Sequence, residues 1–298
     1  MTAGQNTPPE QWTIRRVLEW TKQHLAGHGS ASPRLDAEIL LAHARGCPRI
    51  QLYASFDDVL SDDVRSRMRE LVKRRAKHEP VAYLVGHREF FSLNIEVTRD
   101  VLIPRPETEM LVLETLDAIK GLDAPQVLDL GTGSGCIAVA IAVNAIASRV
   151  TAIDVSEAAL AVARRNAERH QVAGRVTFLQ GDLFTPVPSG TGFDVIVSNP
   201  PYVCTDDAGR LPPDVELHEP GIALFAGMDG LDTIRCIVER APPYLKPGGT
   251  LIMEFSPEQA DRITGLIESS GSFQRVSILR DLSQCARAVR AQKRTNDA

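Results

Sequence analysis

Apolar residues recur at helical spacing through the first quarter of the chain. Ile14, Val17, Leu18, Thr21 and Leu25 share one face over residues 13–26, and Gly27 can end that helix. Ser32 and Pro33 open a second helix as N-cap and first-turn residue; it carries Leu35, Ile39 and Leu40 and stops near Gly46. A short helix over residues 50–56 follows. A fourth begins at Ser61, with Asp62 and Asp63 at its positive end and Val64, Met68, Leu71 and Val72 as its buried stripe. Together these segments predict a small helical bundle over residues 12–85.

The period then changes. Residues 91–97 alternate apolar and polar, which predicts a half-buried strand; with Arg88 to Phe90 it forms a hairpin joining two domains. Pro106 can start a helix that runs to Ile119. From Gln126 onward, strands at 127–130, 150–153, 176–179, 195–197 and 250–254 alternate with helices at 136–147, 157–170 and 231–241. Segments 273–279 and 285–290 supply final, antiparallel strands. This alternation predicts an α/β, Rossmann-like domain: a mostly parallel sheet with helices on both faces. The expected organisation is a helical domain over 1–85, a β-hairpin linker over 86–104 and the α/β domain over 105–298.

Composition narrows the class. A chain of 298 residues, 43% hydrophobic and 24% charged, has ample length to bury a core. The net charge of -5 argues against a general polyanion binder. Charge is uneven, however: the first 96 residues carry 14 Lys and Arg against 12 Asp and Glu. The fourth helix holds Arg65, Arg67, Arg69, Lys73, Arg74, Arg75 and Lys77, interrupted only by Glu70. That run is either a solvated face or a docking surface for an RNA-rich or acidic partner. Five cysteines, an odd number without a Cys-x-x-Cys pair, suit free thiols in a reducing compartment and no zinc site. The first eleven residues lack the apolar centre of a signal peptide, and no apolar run approaches a membrane span, so the cytoplasm is the expected location.

The candidate chemistry lies at the ends of the expected strands. Gly131-Thr132-Gly133-Ser134-Gly135 follows the first strand of the α/β pattern, without the spacing of the dinucleotide fingerprint. Asp154, ending the next strand, can accept both ribose hydroxyls of a nucleoside. Asp182 can accept from an adenine amine, with Leu183 against the ring. A nucleoside is spanned with no basic residue for a pyrophosphate, which favours S-adenosylmethionine over a nicotinamide dinucleotide. The fourth strand runs into Asn199-Pro200-Pro201-Tyr202. Prolines end the ladder there and stiffen the chain. The Asn199 amide oxygen and the Pro200 carbonyl are two neighbouring acceptors for a planar NH2 group, and Tyr202 can cover its flat face. Alternatively, the stretch is a Pro-rich turn and the aspartates are helix caps.

Asp129 to Gly135 together with Asn199 to Tyr202 resemble the class I amino-methyltransferases. Residues 80–86 (Pro-Val-Ala-Tyr-Leu-Val-Gly), 102–109 (Leu-Ile-Pro-Arg-Pro-Glu-Thr-Glu) and Glu219-Pro220 narrow the resemblance to the peptide chain release factor glutamine methyltransferases, the PrmC/HemK family. The resemblance implies methyl transfer from S-adenosylmethionine, yielding S-adenosylhomocysteine, to the glutamine amide nitrogen of the Gly-Gly-Gln motif of bacterial class 1 release factors. It implies that Gly131, Thr132, Gly133, Ser134, Gly135, Asp154, Asp182, Leu183 and Asn199 hold the cofactor. Asn199, Pro200, Pro201 and Tyr202 would hold the glutamine, with Asn199, Pro200 and Tyr202 catalytic, no metal and no general base. Some relatives carry an aromatic residue where Leu183 stands. The N-terminal domain would contact the release factor away from the reacting glutamine, in a monomer with no nucleic-acid or membrane partner. The rival readings are a glutamine methyltransferase of a ribosomal protein, a DNA or RNA exocyclic-amine N-methyltransferase, and a non-catalytic binding protein that retains the fold.

Overall fold

The computed structural model describes residues 11–295. Contacts divide the chain into two compact units, one running up to Gly86 and taking in Pro213–His218, the other comprising His87–Pro212 and Glu219–Ala298.

The first unit contains α1 (Ile14–Ala26), α2 (Pro33–Arg45), α3 (Arg49–Ala54), α4 (Asp62–Arg75) and α5 (Val81–Val85). Ile14, Leu25, Leu40, Leu41, Leu52 and Met68 fill its core. Each fully buried aliphatic side chain contributes about 1.5–3 kcal/mol. Thr13 and Ser61 cap α1 and α4 through their hydroxyls, bonding Arg16 N and Val64 N. Ser32 makes no such bond, because its backbone (φ −134°, ψ 56°) lies outside the extended region that aims a capping side chain. The start of α2 rests on Pro33 instead. The short α5 escaped the periodicity analysis, since five residues hold too few turns to display a helical repeat.

The basic run on α4 is largely committed inside this unit. Arg74 donates two bonds of 2.7 Å to Glu79, and Arg75 one of 2.8 Å to Asp36. Arg67 pairs with Asp63 and Lys73 with Glu70. Arg69 and Lys77 stay exposed. The continuous docking stripe suggested by the sequence is therefore reduced to scattered positions.

The second unit begins with β1 (His87–Phe90) and β2 (Leu93–Glu96), an antiparallel hairpin. The strand expected from residue 91 starts two residues later. Phe91 and Ser92 have φ of +50° and +59° and form the turn, and the Phe91 N–H goes to Glu109 Oε1 at 2.8 Å rather than to a ladder. Then come a 3-10 turn at Pro106–Thr108, α6 (Glu109–Ala118), β3 (Gln126–Leu130), α7 (Cys136–Asn144), β4 (Arg149–Asp154), α8 (Glu157–Arg169), β5 (Val176–Gln180) and β6 (Phe193–Ser198). After α9 (Pro213–His218), which groups with the first unit, follow α10 (Asp232–Arg240), β7 (Leu245–Glu254), α11 (Ala260–Ser269), β8 (Phe273–Arg280) and β9 (Ala286–Lys293).

Seven strands form one sheet in the order β5-β4-β3-β6-β7-β9-β8. β9 is antiparallel to both β7 and β8. Of the two final strands, only β9 therefore opposes the rest; β8 returns to the common direction. Helix α11, absent from the sequence reading, sits between β7 and β8 in the chain and buries Ile263 and Ile267. The central strands carry Val127, Leu128, Leu130, Val195, Ile196 and Val197, all fully buried, as a sheet covered on both faces requires.

The hairpin groups with this larger unit, and Asn166 on α8 supplies a physical tie. This buried side chain accepts from Glu96 N at 2.7 Å and donates to Glu96 O at 3.0 Å and Ser134 O at 2.9 Å. It links hairpin, helix and Gly-rich turn at once. Strand order reverses between β3 and β6, so the two sequence motifs emerge side by side at the topological switch point, where open α/β sheets bind ligands.

Candidate active site

At the β3 end, Gly131, Gly133 and Gly135 have φ of +69°, +54° and +77°. They serve two purposes. A Cβ on Gly135 would meet Ala163 Cβ at 2.9 Å, so this glycine lets α8 approach; Cβ atoms on Gly131 and Gly133 would face open space. The turn thus offers bare backbone to an approaching group. Asp154 Oδ2 accepts from Gly133 N at 2.8 Å and Oδ1 from Ser156 N at 2.9 Å. These bonds hold the carboxylate in place, but the cap of α8 is Ser156, whose Oγ accepts from Ala159 N, so Asp154 is not a helix cap. A carboxylate has about four acceptor positions, which leaves two for a ligand's hydroxyls. Burial raises the Asp154 pKa. Asp182 lies two residues beyond β5, exposed, while Leu183, half-buried at φ +47°, packs against the main core cluster. The Gly181 N–H bonds the Asp154 carbonyl at 3.0 Å, which brings the two strand ends together.

Asp129, not singled out as a site residue by sequence, lies beneath this turn. It is fully buried, and Thr132 Oγ1 donates to its Oδ2 at 2.6 Å. Its Oδ1 and the neighbouring Ser134 Oγ have no hydrogen-bond partner among the described residues. Burial pushes Asp129 up to about 7, against the pull of the Thr132 bond. An unmatched buried carboxylate oxygen beneath bare glycine backbone suits a cationic ligand.

At the β6 end, Ser198 pairs in register with Leu130 and its Oγ donates to the Leu130 carbonyl at 2.8 Å, which locks the two strand ends level. Asn199 Nδ2 donates to Thr108 Oγ1 at 3.2 Å; Thr108 Oγ1 donates to Glu254 Oε2 at 2.7 Å. Tyr202 Oη donates to Glu254 Oε1 at 3.3 Å. Pro200 is buried and Pro201 half-buried. Among the described residues, neither Asn199 Oδ1 nor the Pro200 carbonyl accepts a hydrogen bond, so both are available as acceptors. The Tyr202 carbonyl accepts from Gln259 Nε2 at 3.0 Å; Gly230 must be glycine, since a Cβ there would meet that carbonyl oxygen at 2.3 Å. Burial drives the Tyr202 pKa upward, with the Glu254 charge adding to it, so the phenol stays a donor. Glu254 is pushed up to about 7 by burial, opposed by its bonds from Thr108 and Tyr202.

The segment 102–109, informative in the sequence only as a resemblance, acquires physical reasons. Arg105 Nη2 pairs with Glu219 Oε1 at 2.6 Å, and Ile103 N bonds Glu219 Oε2 at 3.2 Å. Thr108 holds Asn199, and Glu109 holds the hairpin turn. Sequence reasoning missed Asp129, Thr108, Glu254, Asn166 and Gln259. Asp129 and Glu254 did carry a signal, an acid at the end of an apolar strand run. Thr108 carried only its place in the 102–109 segment that bears the resemblance.

A doubly wound sheet with a Gly-rich turn and an Asn-Pro-Pro-Tyr segment on neighbouring strand ends defines a class I methyltransferase. Residues 16–86 match the family described as PrmC N-terminal domain, and 107–209 the one described as methyltransferase small domain. The release factor glutamine methyltransferase of Rhodopirellula baltica is 48% identical over 95% of this chain and 97% of its own; that of Geobacter sulfurreducens is 47% identical over 88% and 91%. The chain belongs to the release factor glutamine methyltransferase family. The hMettl16 catalytic domain, solved in complex with MAT2A 3'UTR hairpin 6, shares the fold alone, with a TM-score of 0.59 at 15% identity over 74% of this chain and 84% of that one.

Proposed function

We propose that this protein transfers a methyl group from S-adenosylmethionine to the side-chain amide nitrogen of the glutamine in the Gly-Gly-Gln motif of class 1 release factors. The observation that carries this reading is the state of Asn199. Its NH2 group donates to Thr108, which leaves Oδ1 to accept, and the carbonyl of the next residue, Pro200, accepts no hydrogen bond among the described residues. Two fixed acceptors match the two hydrogens of a primary amide and orient its nitrogen. An amide nitrogen is a poor nucleophile because its lone pair is delocalised. Acceptors that pull on both hydrogens favour the charge that develops there during transfer. Tyr202, held by Glu254, covers one face of the amide.

The Gly131–Gly135 backbone, Asp154, Asp182 and Leu183 would hold the cofactor, with Asp129 beneath them. When bound, S-adenosylmethionine supplies a methyl group on a sulfonium whose leaving form is a neutral thioether, so no acid is required of the protein; the excess proton on the methylated amide would leave through the acceptors that hold its hydrogens. The site residues position, exclude water and accept hydrogen bonds. In this reading the first unit docks the release factor. The family, the absence among the described residues of any helix long and apolar enough to cross a membrane, and the acidic net charge fit a cytoplasmic enzyme of a protein substrate rather than of nucleic acid.

The test is incubation of the full chain with tritiated S-adenosylmethionine and, separately, purified release factor, ribosomes or DNA, followed by peptide mapping. Label on the Gly-Gly-Gln glutamine is the expected result. Label confined to a ribosomal protein or to DNA overturns the substrate assignment.

A further inference from the structure

The hydrogen-bond chain behind Asn199 has a direction. A side-chain amide looks nearly the same from either end, so an isolated asparagine could present its NH2 or its oxygen to the substrate. Only the oxygen can accept from the glutamine amide. Thr108 lies at 3.2 Å from Asn199 Nδ2 and 2.7 Å from Glu254 Oε2. The Thr108 hydroxyl has a single proton. Spent on the Glu254 carboxylate, that proton leaves the hydroxyl oxygen only lone pairs to offer Asn199, so the amide must turn its NH2 inward. Glu254 is itself held from the other side by Tyr202, on the stretch that receives the substrate. All three partners are buried or half-buried, where such bonds are not exchanged for water.

We propose that Thr108 and Glu254 are positioning residues that set the polarity of Asn199, so that Oδ1 faces the amide to be methylated. The inference rests on the role of Asn199 given above. It assigns work to a threonine and a glutamate that lie outside both sequence motifs.

Three variants separate this role from mere packing. Thr108→Val keeps the shape and removes the hydroxyl; Thr108→Ser keeps the hydroxyl; Glu254→Gln keeps the shape and replaces an acceptor by a group that can donate. Two readouts are made on the full chain: single-turnover methylation of release factor at saturating S-adenosylmethionine, and hydrogen-exchange protection of the Asn199 side-chain NH2 in the free protein by NMR. Misplacement on the ångström scale costs up to about 10²-fold in rate. Thr108→Val and Glu254→Gln are expected to lose roughly 10- to 10²-fold in rate and most of the NH2 protection, with the cofactor dissociation constant unchanged. Thr108→Ser is expected to retain both properties. Wild-type rate and protection in Thr108→Val would overturn the proposal, as would equal losses in Thr108→Ser. If the wild-type chain fails to label release factor, the functional reading falls, and the exchange measurement still decides whether Thr108 and Glu254 hold Asn199.

Discussion

Two carboxylates are buried at the ends of sheet strands around the switch point, Asp129 on β3 and Glu254 on β7, and the fold treats them differently. Glu254, behind Asn199 and Tyr202, receives donors on both oxygens. Asp129, under the Gly-rich turn, receives Thr132 on one oxygen and nothing among the described residues on the other. Both are pushed to about 7 by burial. In the proposed reading the Glu254 side takes the substrate and is wired before anything binds, because a neutral amide brings little energy with which to organise a site. The other side keeps an unmatched acceptor, whose desolvation cost a cationic ligand can offset.

The largest effect that would break this contrast lies at Asn199. Asn199→Ala removes a preorganised acceptor and is expected to slow the chemical step by roughly 10²–10³. Asn199→Asp keeps an oxygen but places a second carboxylate against Thr108, whose single proton then has two claimants. Its single-turnover rate is expected between those of Asn and Ala. Wild-type rates in both would remove Asn199 from the mechanism.

Asp129→Asn probes the other side. Above about pH 7, where Asp129 is ionised, the loss of this charge should weaken S-adenosylmethionine binding by about tenfold or more, as a hydrogen bond to a charged group is worth roughly 1.5–3 kcal/mol. Glu254→Gln should leave that affinity alone. Calorimetry giving the reverse order would invert the assignment of the two carboxylates.

Acid sharpens the comparison further. Glu254 faces Thr108, Tyr202, Glu107 and Arg287, with Cys136 also within its field. As pH falls through about 7, Glu254 gains a proton and loses an acceptor, so the single-turnover rate should decline on that limb. The limb should vanish in Glu254→Gln. Stability runs the other way. Folded Asp129 keeps its proton up to about 7, whereas the unfolded chain releases it near its ordinary value of about 3.9. Between these values the folded state binds more protons, so stability falls as pH rises. Thermal melts of the cofactor-free protein should show that fall between about pH 4 and about pH 7, and Asp129→Asn should reduce it, with Glu254, raised in the same way, supplying the remainder.

The smallest effect belongs to the helical unit. Arg74 and Arg75 are unsuitable probes of docking, since their ion pairs with Glu79 and Asp36 hold that unit together. Arg69→Glu and Lys77→Glu alter exposed positions instead. They should raise KM for intact release factor a few-fold and leave turnover of a short Gly-Gly-Gln peptide unchanged. An unchanged KM for intact release factor in both variants would remove Arg69 of α4 and Lys77 of the turn after it from the docking surface.

Local and periodic features were legible in the chain itself. Amphipathic spacing marked α1, α2 and α4, and apolar runs closed by Gly131, Asp154 and Pro200 marked β3, β4 and β6. Both follow from short-range geometry, which a sequence records directly. The Gly-rich turn and the Asn-Pro-Pro-Tyr segment were legible for the same reason, as each is a contiguous piece of backbone with unusual conformational demands. Short α5 was not, for want of turns; α11 was passed over although Ala260, Ile263, Leu266 and Ile267 do recur at helical spacing. What only the tertiary structure decided is which distant groups share a proton. Thr108 meets Asn199 across 91 positions and Glu254 across 146. Hydrogen bonds at such separations leave no periodicity, because their partners are brought together by sheet order rather than by spacing along the chain. The sequence picked out Asn199; the fold turned its NH2 group toward Thr108.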